Sequence, residues 1–183
     1  MTALAEREHR SRLTLNRFGF WLFILSETMI FLALLTTRFY LTGTDVPADA
    51  DQLIALLITS VLLLSSGSAY LAEVAATSGD GTLFRRAMLA TMLLGLAFMV
   101  GVGFEWREAF HAFPPGTLYG SVFFVMTGTH AFHVLTGLMF LGIVYRKSAG
   151  DLASNYWPVE ASVKYWHFVD VVWVFFYPAL YLV

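Results

Sequence analysis

The run Phe18–Tyr40 reads FGFWLFILSETMIFLALLTTRFY, and it decides the fold. About 20 apolar residues in a helix cross the roughly 30 Å hydrocarbon core of a bilayer, and this run holds 23 residues with a single acid, Glu27, near its centre. Working outward, four more runs have the same character: Leu53–Ala76, Leu83–Trp106, Leu118–Tyr145 and Pro158–Val183. An unpaired backbone cannot sit in lipid, and the alternation of a β-barrel strand is absent, so each run is read as helix. The last run is rich in β-branched and aromatic residues, but its length and continuity outweigh that strand preference. The expected fold is all-α: an integral membrane bundle of five transmembrane helices. Residues 1–17 form a charged N-terminal segment and residues 18–183 the membrane domain. Composition agrees, with 58% hydrophobic and 13% charged residues, which excludes an ordinary soluble domain. Met1–Arg17 lacks the apolar core of a signal peptide, so the first run is expected to be retained. There is no cysteine, hence no disulfide, thiolate metal site or iron–sulfur ligation.

Charge alternates between the connections. Arg7, Arg10, Arg12 and Arg17 precede the first run, Arg85 and Arg86 lie between the second and third, and Arg146 and Lys147 follow the fourth. The other loops carry Asp45, Asp49 and Asp51, then Glu108 and the turn Phe113–Gly116. Eight of eleven basic residues thus fall on one predicted side, and the positive-inside rule puts the N-terminus in the cytoplasm and the C-terminus outside. Residues 151–155 read as an inner loop, and Pro158 suits a first helical turn. Short loops make successive helices antiparallel neighbours. Small residues mark close approach: Ser65–Ala69 on the second helix, Gly95, Gly101 and Gly103 on the third, and Gly128, Gly137 and Gly142 on the fourth. No internal repeat of the transporter kind is visible.

Ionisable groups within the membrane are costly and usually carry a partner or a task. Glu27 is nine residues past Phe18 and His167 nine past Pro158, so each lies about 13–14 Å from the inner side. Asp170 and His133 each lie twelve residues from the inner end of their runs, or about 18 Å. Depth alone therefore pairs Glu27 with His167 and Asp170 with His133. The plain alternative is that these groups satisfy one another as a packing device. Haem ligation is disfavoured, since a bis-His site needs ligands on opposite sides of the iron. His130 and His133 are three apart on one helix face, and His9 and His111 lie outside the membrane core, which leaves only His130 or His133 with His167 as a conceivable axial pair. A mid-bilayer zinc site is disfavoured too, because its second carboxylate would have to come from a distance. No catalytic residue and no metal ligand is expected in this chain.

Other charged and aromatic groups have simpler readings. Glu73, Glu105 and Glu108 are expected at the interfaces, and Glu160 with Lys164 forms an i,i+4 pair in the favoured order. Trp106, Tyr119, Tyr156 and Trp157 suit an interfacial aromatic belt. Trp166 and Trp173, seven apart, form one stripe suited to core packing or to a partner.

Three segments together carry a family resemblance. Gly128–Val134 reads GTHAFHV, Tyr165–Trp173 reads YWHFVDVVW, and Ser26-Glu27 follows FWLFIL in the first run. With the Leu62–Ser66 segment, these resemble subunit III of the haem–copper terminal oxidases, from about Arg17 to Val183. The resemblance implies a noncatalytic subunit with no haem or copper of its own. It implies subunit I as the main contact, other oxidase subunits and phospholipids as further partners, no nucleic acid, and a multi-pass place in the bacterial inner (cytoplasmic) membrane. Haem and copper would lie in the partner. The implied role is to sustain proton uptake into the pumping subunit and to protect it from inactivation during turnover. Glu27 matches the family's intramembrane glutamate, which carbodiimides attack.

There are two departures. Many members have seven spans with a lipid-filled cleft between the first two and the rest, whereas this chain corresponds to the last five, as in some bacterial oxidases, quinol oxidases among them. In addition, Val102 occupies the position three before Glu105 where members often have Gln or Glu, so no role of that polar pair is carried over. The electron donor, cytochrome c or a quinol, and the haem types are set by other subunits. Two other readings stand beside this one. The first is a five-span accessory protein of nitric oxide reductase, against which the YWHFVDVVW segment weighs. The second is a small proton-conducting transporter using Glu27 and His167, against which the missing repeats weigh.

Overall fold

A computed structural model describes residues 3–47, 52–147 and 156–183, with side chains described from residue 10 onward. Asp49, Asp51, the expected inner loop 151–155 and the side chains of Arg7 and His9 lie outside the described residues. Five helices follow in order: α1 Ala3–Thr42, α2 Gln52–Ser78, α3 Gly81–Ala112, α4 Leu118–Lys147 and α5 Trp157–Tyr181. No strand occurs among the described residues. Each expected run lies within a helix apart from its last two residues, Leu182 and Val183. Continuous helix from Ala3 makes the 17/18 boundary a change of composition, not of backbone.

Among the described residues, four helices are long and apolar enough to cross a membrane: α1 from Arg10, α2, α3 and α4. α5 is the exception by composition, because Glu160, Lys164, His167 and Asp170 interrupt it. Its 25 residues still span about 37 Å.

Helix ends follow local chemistry. Gly43 has φ +62° and closes α1 in the left-handed conformation that favours glycine, its N–H donating to Phe39 O at 3.0 Å. Gly79, at φ +77°, turns the chain after α2. Asp80 then caps α3 by accepting from Leu83 N–H at 2.9 Å.

α2 packs on α3 and α5, α4 on α3 and α5, and α1 only on α4 and α5. α1 is therefore the peripheral helix, with Ile24, Phe31 and Arg38 as its buried side chains. These recur every seven residues and form one inward stripe. Trp166 and Trp173 belong to the core rather than to a partner's face: they are 0% and 1% exposed. Each indole N–H donates to a hydroxyl of α2, Trp166 to Ser65 at 3.0 Å and Trp173 to Thr59 at 2.9 Å.

The glycines divide by environment. A Cβ on Gly95 would lie 2.5 Å from the Trp166 ring, on Gly101 2.3 Å from Ile58, and on Gly137 2.9 Å from Trp166. These three allow close approach as expected. Gly103 and Gly142 have nothing within 4 Å, so the expectation of contact fails there.

Candidate functional site

The intramembrane acid Glu27 does have a histidine partner, but not the one that depth suggested. Glu27 Oε2 lies 2.9 Å from His133 Nε2, joining α1 to α4. The other ring nitrogen, Nδ1, is 2.7 Å from the Thr129 carbonyl one turn earlier. A carbonyl only accepts, so Nδ1 carries a hydrogen and donates it. One further proton then lies between Nε2 and the carboxyl. It rests either on Glu27, which donates to the ring, or on the ring, which donates to the carboxylate; both forms are net neutral across the pair. Phe31 and Phe132 rings flank the imidazole at 4.7 and 5.7 Å. The pair is thus held by an aromatic wall on one side and a backbone acceptor on the other.

The two expected clusters are corrected accordingly. His167 does not meet Glu27; its Nδ1 is 2.7 Å from Ser66 Oγ on α2. The level was right. Phe23 stacks on Tyr165 with centroids 6.1 Å apart and Phe31 meets Phe168 at 5.9 Å, bracketing Glu27 and His167 at one height. Rotation was the missing quantity: Tyr165 and Phe168 face α1 while His167 turns toward α2. Asp170 does not meet His133 either. It is 3% exposed and lies beside the Ser66 hydroxyl of α2, but neither carboxyl oxygen makes a well-formed hydrogen bond among the described residues. His130 and His133 also divide. His130 turns into the core, its ring 4.8 Å from Trp173 and 5.8 Å from Phe98, with neither nitrogen hydrogen-bonded.

Several buried polar residues were read too simply. Glu105 lies near the end of the bundle as expected, but it is buried between helices, accepting from the Tyr181 hydroxyl at 2.5 Å. Glu73 accepts from Tyr156 at 2.9 Å. Burial and the acceptor carboxylate push the Tyr156 phenol, at the membrane edge, well above its ordinary range. The Glu160–Lys164 pair forms at 2.5 Å as expected, and Arg17 of α1 joins it from 2.8 Å. Arg38 was missed altogether. It is 0% exposed, donates to Thr42 Oγ1 and, at 2.9 Å each, to the carbonyls of Gly43 and Val183, and lies over the Tyr119 ring at 5.4 Å. A signal existed, since Arg38 is eleven residues past Glu27 and so on the same face of α1. Among the described residues no three His, Asp or Glu side chains gather into a metal-binding group.

The cytochrome c oxidase subunit III family model matches residues 6–183. The chain belongs to that family. It is 36% identical over 179 residues to cytochrome c oxidase subunit 3 of Bos taurus, covering 90% of this chain and 68% of the relative. The Arabidopsis thaliana subunit 3 is 36% identical over 179 residues, with 90% and 67% covered. The Artemia franciscana subunit 3 is 35% identical over 175 residues, with 90% and 68% covered. As a member of the subunit III family, the chain is a multi-pass membrane protein of a cytochrome oxidase complex. Of the segments that carried the resemblance, Ser26-Glu27 and Gly128–Val134 supply both halves of the Glu27–His133 pair, and Tyr165–Trp173 supplies the core tryptophans and His167.

Proposed function

We propose that this chain is the noncatalytic subunit III of a haem–copper respiratory oxidase that reduces oxygen to water and pumps protons. The family match over residues 6–183 carries this reading. The cytochrome c oxidase relatives favour it over a nitric oxide reductase accessory or a free-standing proton conductor. In this reading haem and copper belong to subunit I, which is the main contact. Phospholipid fills apolar grooves such as the cavity of about 360 Å³ lined by Phe20, Phe23, Phe140 and Trp157. All five helices cross the cytoplasmic membrane, with the N-terminus inside and the C-terminus outside.

Glu27 and His133 supply a proton-exchanging pair at mid-depth, suited to sustaining proton supply rather than oxygen chemistry. The test is purification of the complex from membranes through a tag on this chain. Co-purification with a haem- and copper-containing subunit is the expected result, and a haem spectrum from this chain alone contradicts it. Within the complex, Glu27→Gln leaves the initial oxygen-reduction rate nearly unchanged, and removal of the chain shortens the number of turnovers before inactivation. Immediate total loss of activity on Glu27→Gln rules out the supporting role.

A further inference from the structure

The seam between α2 and α5 is polar along its length. Tyr156 donates to Glu73 at 2.9 Å, His167 Nδ1 lies 2.7 Å from Ser66 Oγ, and Trp166 and Trp173 donate to Ser65 and Thr59. The tryptophan contacts end there, because an indole N–H only donates and cannot pass a hydrogen on. Ser66 is different. His167 and Asp170 are three apart on α5 and so share a face, and the Ser66 hydroxyl lies beside both. A carboxyl, a hydroxyl and an imidazole can each give and take a hydrogen.

Asp170 is buried and has no ion pair among the described residues. A carboxylate sealed from water without a cation is costly, and the neutral acid is far less so. The charged groups on the helices around it are committed elsewhere. Glu27 and His133 meet each other across α1 and α4, Arg17 and Lys164 hold Glu160, and Arg38 lies at the far end of the bundle. His130 of α4 is packed against Trp173 and Phe98. A neutral Asp170 has one hydrogen to donate, and the hydroxyl beside it is that of Ser66. Ser66 then gives its own hydrogen to Nδ1, which leaves the imidazole hydrogen on Nε2.

We propose that Asp170, Ser66 and His167 form a proton relay, through which the buried carboxylic acid exchanges its proton with the Glu73 end of the α2–α5 seam. The Asp170 O–H bond breaks as a new O–H bond forms on Ser66, and the original Ser66 O–H bond breaks as Nδ1–H forms. A carboxylate and an imidazolium result. The imidazolium then passes its Nε2 hydrogen to the Glu73 carboxylate, directly or through water, and the reverse sequence reloads Asp170. Glu73 lies seven residues past Ser66, two turns along the same face of α2, and its charge reaches His167. The relay is separate from the Glu27–His133 pair and goes beyond the subunit III reading without depending on it.

Infrared spectra of the full-length protein in its membrane test the relay. The difference between the parent and Asp170→Asn contains the carbonyl band of a protonated carboxyl at neutral pH, and Asp170→Glu, which keeps the acid, shows such a band in turn. In heavy water the band moves as the carboxyl takes up deuterium. Ser66→Ala and His167→Phe each slow that movement by roughly a hundredfold, the low end of what a positioned proton-transfer group contributes. Ser60→Ala, which removes an exposed hydroxyl of the same helix, leaves it unchanged. A packing role alone for the three residues gives equal exchange in all these variants, and that result overturns the relay. Absence of the band from both Asp170 comparisons means an ionised Asp170 and overturns it as well.

Discussion

Glu27 and His133 share one proton because Thr129 has already claimed the other ring nitrogen, 2.7 Å away. The pair therefore acts as a unit, and its members should not contribute independently. Glu27→Ala leaves Nε2 of the buried His133 unpaired, His133→Ala leaves the partly buried Glu27 carboxyl unpaired, and the double variant removes both groups. A double-mutant cycle on the unfolding of the detergent-solubilised complex is expected to show coupling of ~0.6–1.7 kcal/mol, the range of hydrogen bonds within membrane bundles. Strict additivity means the 2.9 Å contact contributes nothing to stability. The partner of Glu27 was only half legible in the sequence. Rise per residue gives the height of a group, and it correctly set Glu27 level with the His167 turn. It gives no azimuth, and one residue along a helix is a rotation of about 100°. That rotation separates Phe168, which meets α1, from His167, which meets Ser66.

At the scale of elements, helix positions were legible because apolar length is a one-dimensional property. Helix contacts were legible where small residues face large ones. Trp166 lies between Gly95 and Gly137, so the YWHF turn of α5 fits only against a bare backbone on α3 and α4. Gly95→Leu is expected to destabilise the subunit by at least ~1–3 kcal/mol through overpacking. Gly103→Leu, with nothing within 4 Å, is expected to stay within ~0.5 kcal/mol of the parent. Thermal inactivation of the two variants in the purified complex separates them, and equal behaviour would contradict the packing assigned to Trp166. Trp173→Phe keeps most of the buried ring and loses its 2.9 Å donation to Thr59. Its expected cost is correspondingly modest, ~1 kcal/mol from the lost bond plus the small cavity left by the missing ring atoms. What pattern could not reveal was the inside of the polar belt. Glu105 and Tyr181 both read as interfacial or apolar-run residues until α3 and α5 bring them to 2.5 Å.

For the whole molecule, the contacts fix which ends of the helices lie together. Arg17 meets Glu160 near one end of the bundle, and Arg38 meets the Val183 carbonyl at the other, so α1 and α5 run parallel. Arg85 lies over the Tyr145 ring at the Arg17 end, and Glu105 meets Tyr181 at the Arg38 end, which sets α3 parallel to both. The first end thus collects Arg10, Arg12, Arg17, Arg85, Arg86, Arg146 and Lys147. At the opposite end Arg107 is exposed beside Glu108, while Arg38 is fully enclosed. By the positive-inside rule, the expected orientation has the basic end in the cytoplasm. The chain has no cysteine, so one introduced thiol reports its own location without background. Arg12→Cys is expected to react with a membrane-impermeant maleimide only after the cells are opened, and Val183→Cys in intact cells whose outer barrier is permeable to the reagent. The second site also decides whether α5, the least apolar of the helices by composition, completes its crossing. Labelling of both positions from the same side would mean an even number of crossings and would separate the Arg17–Glu160 contact from the Arg38–Val183 contact, which the parallel packing of α1 and α5 does not permit.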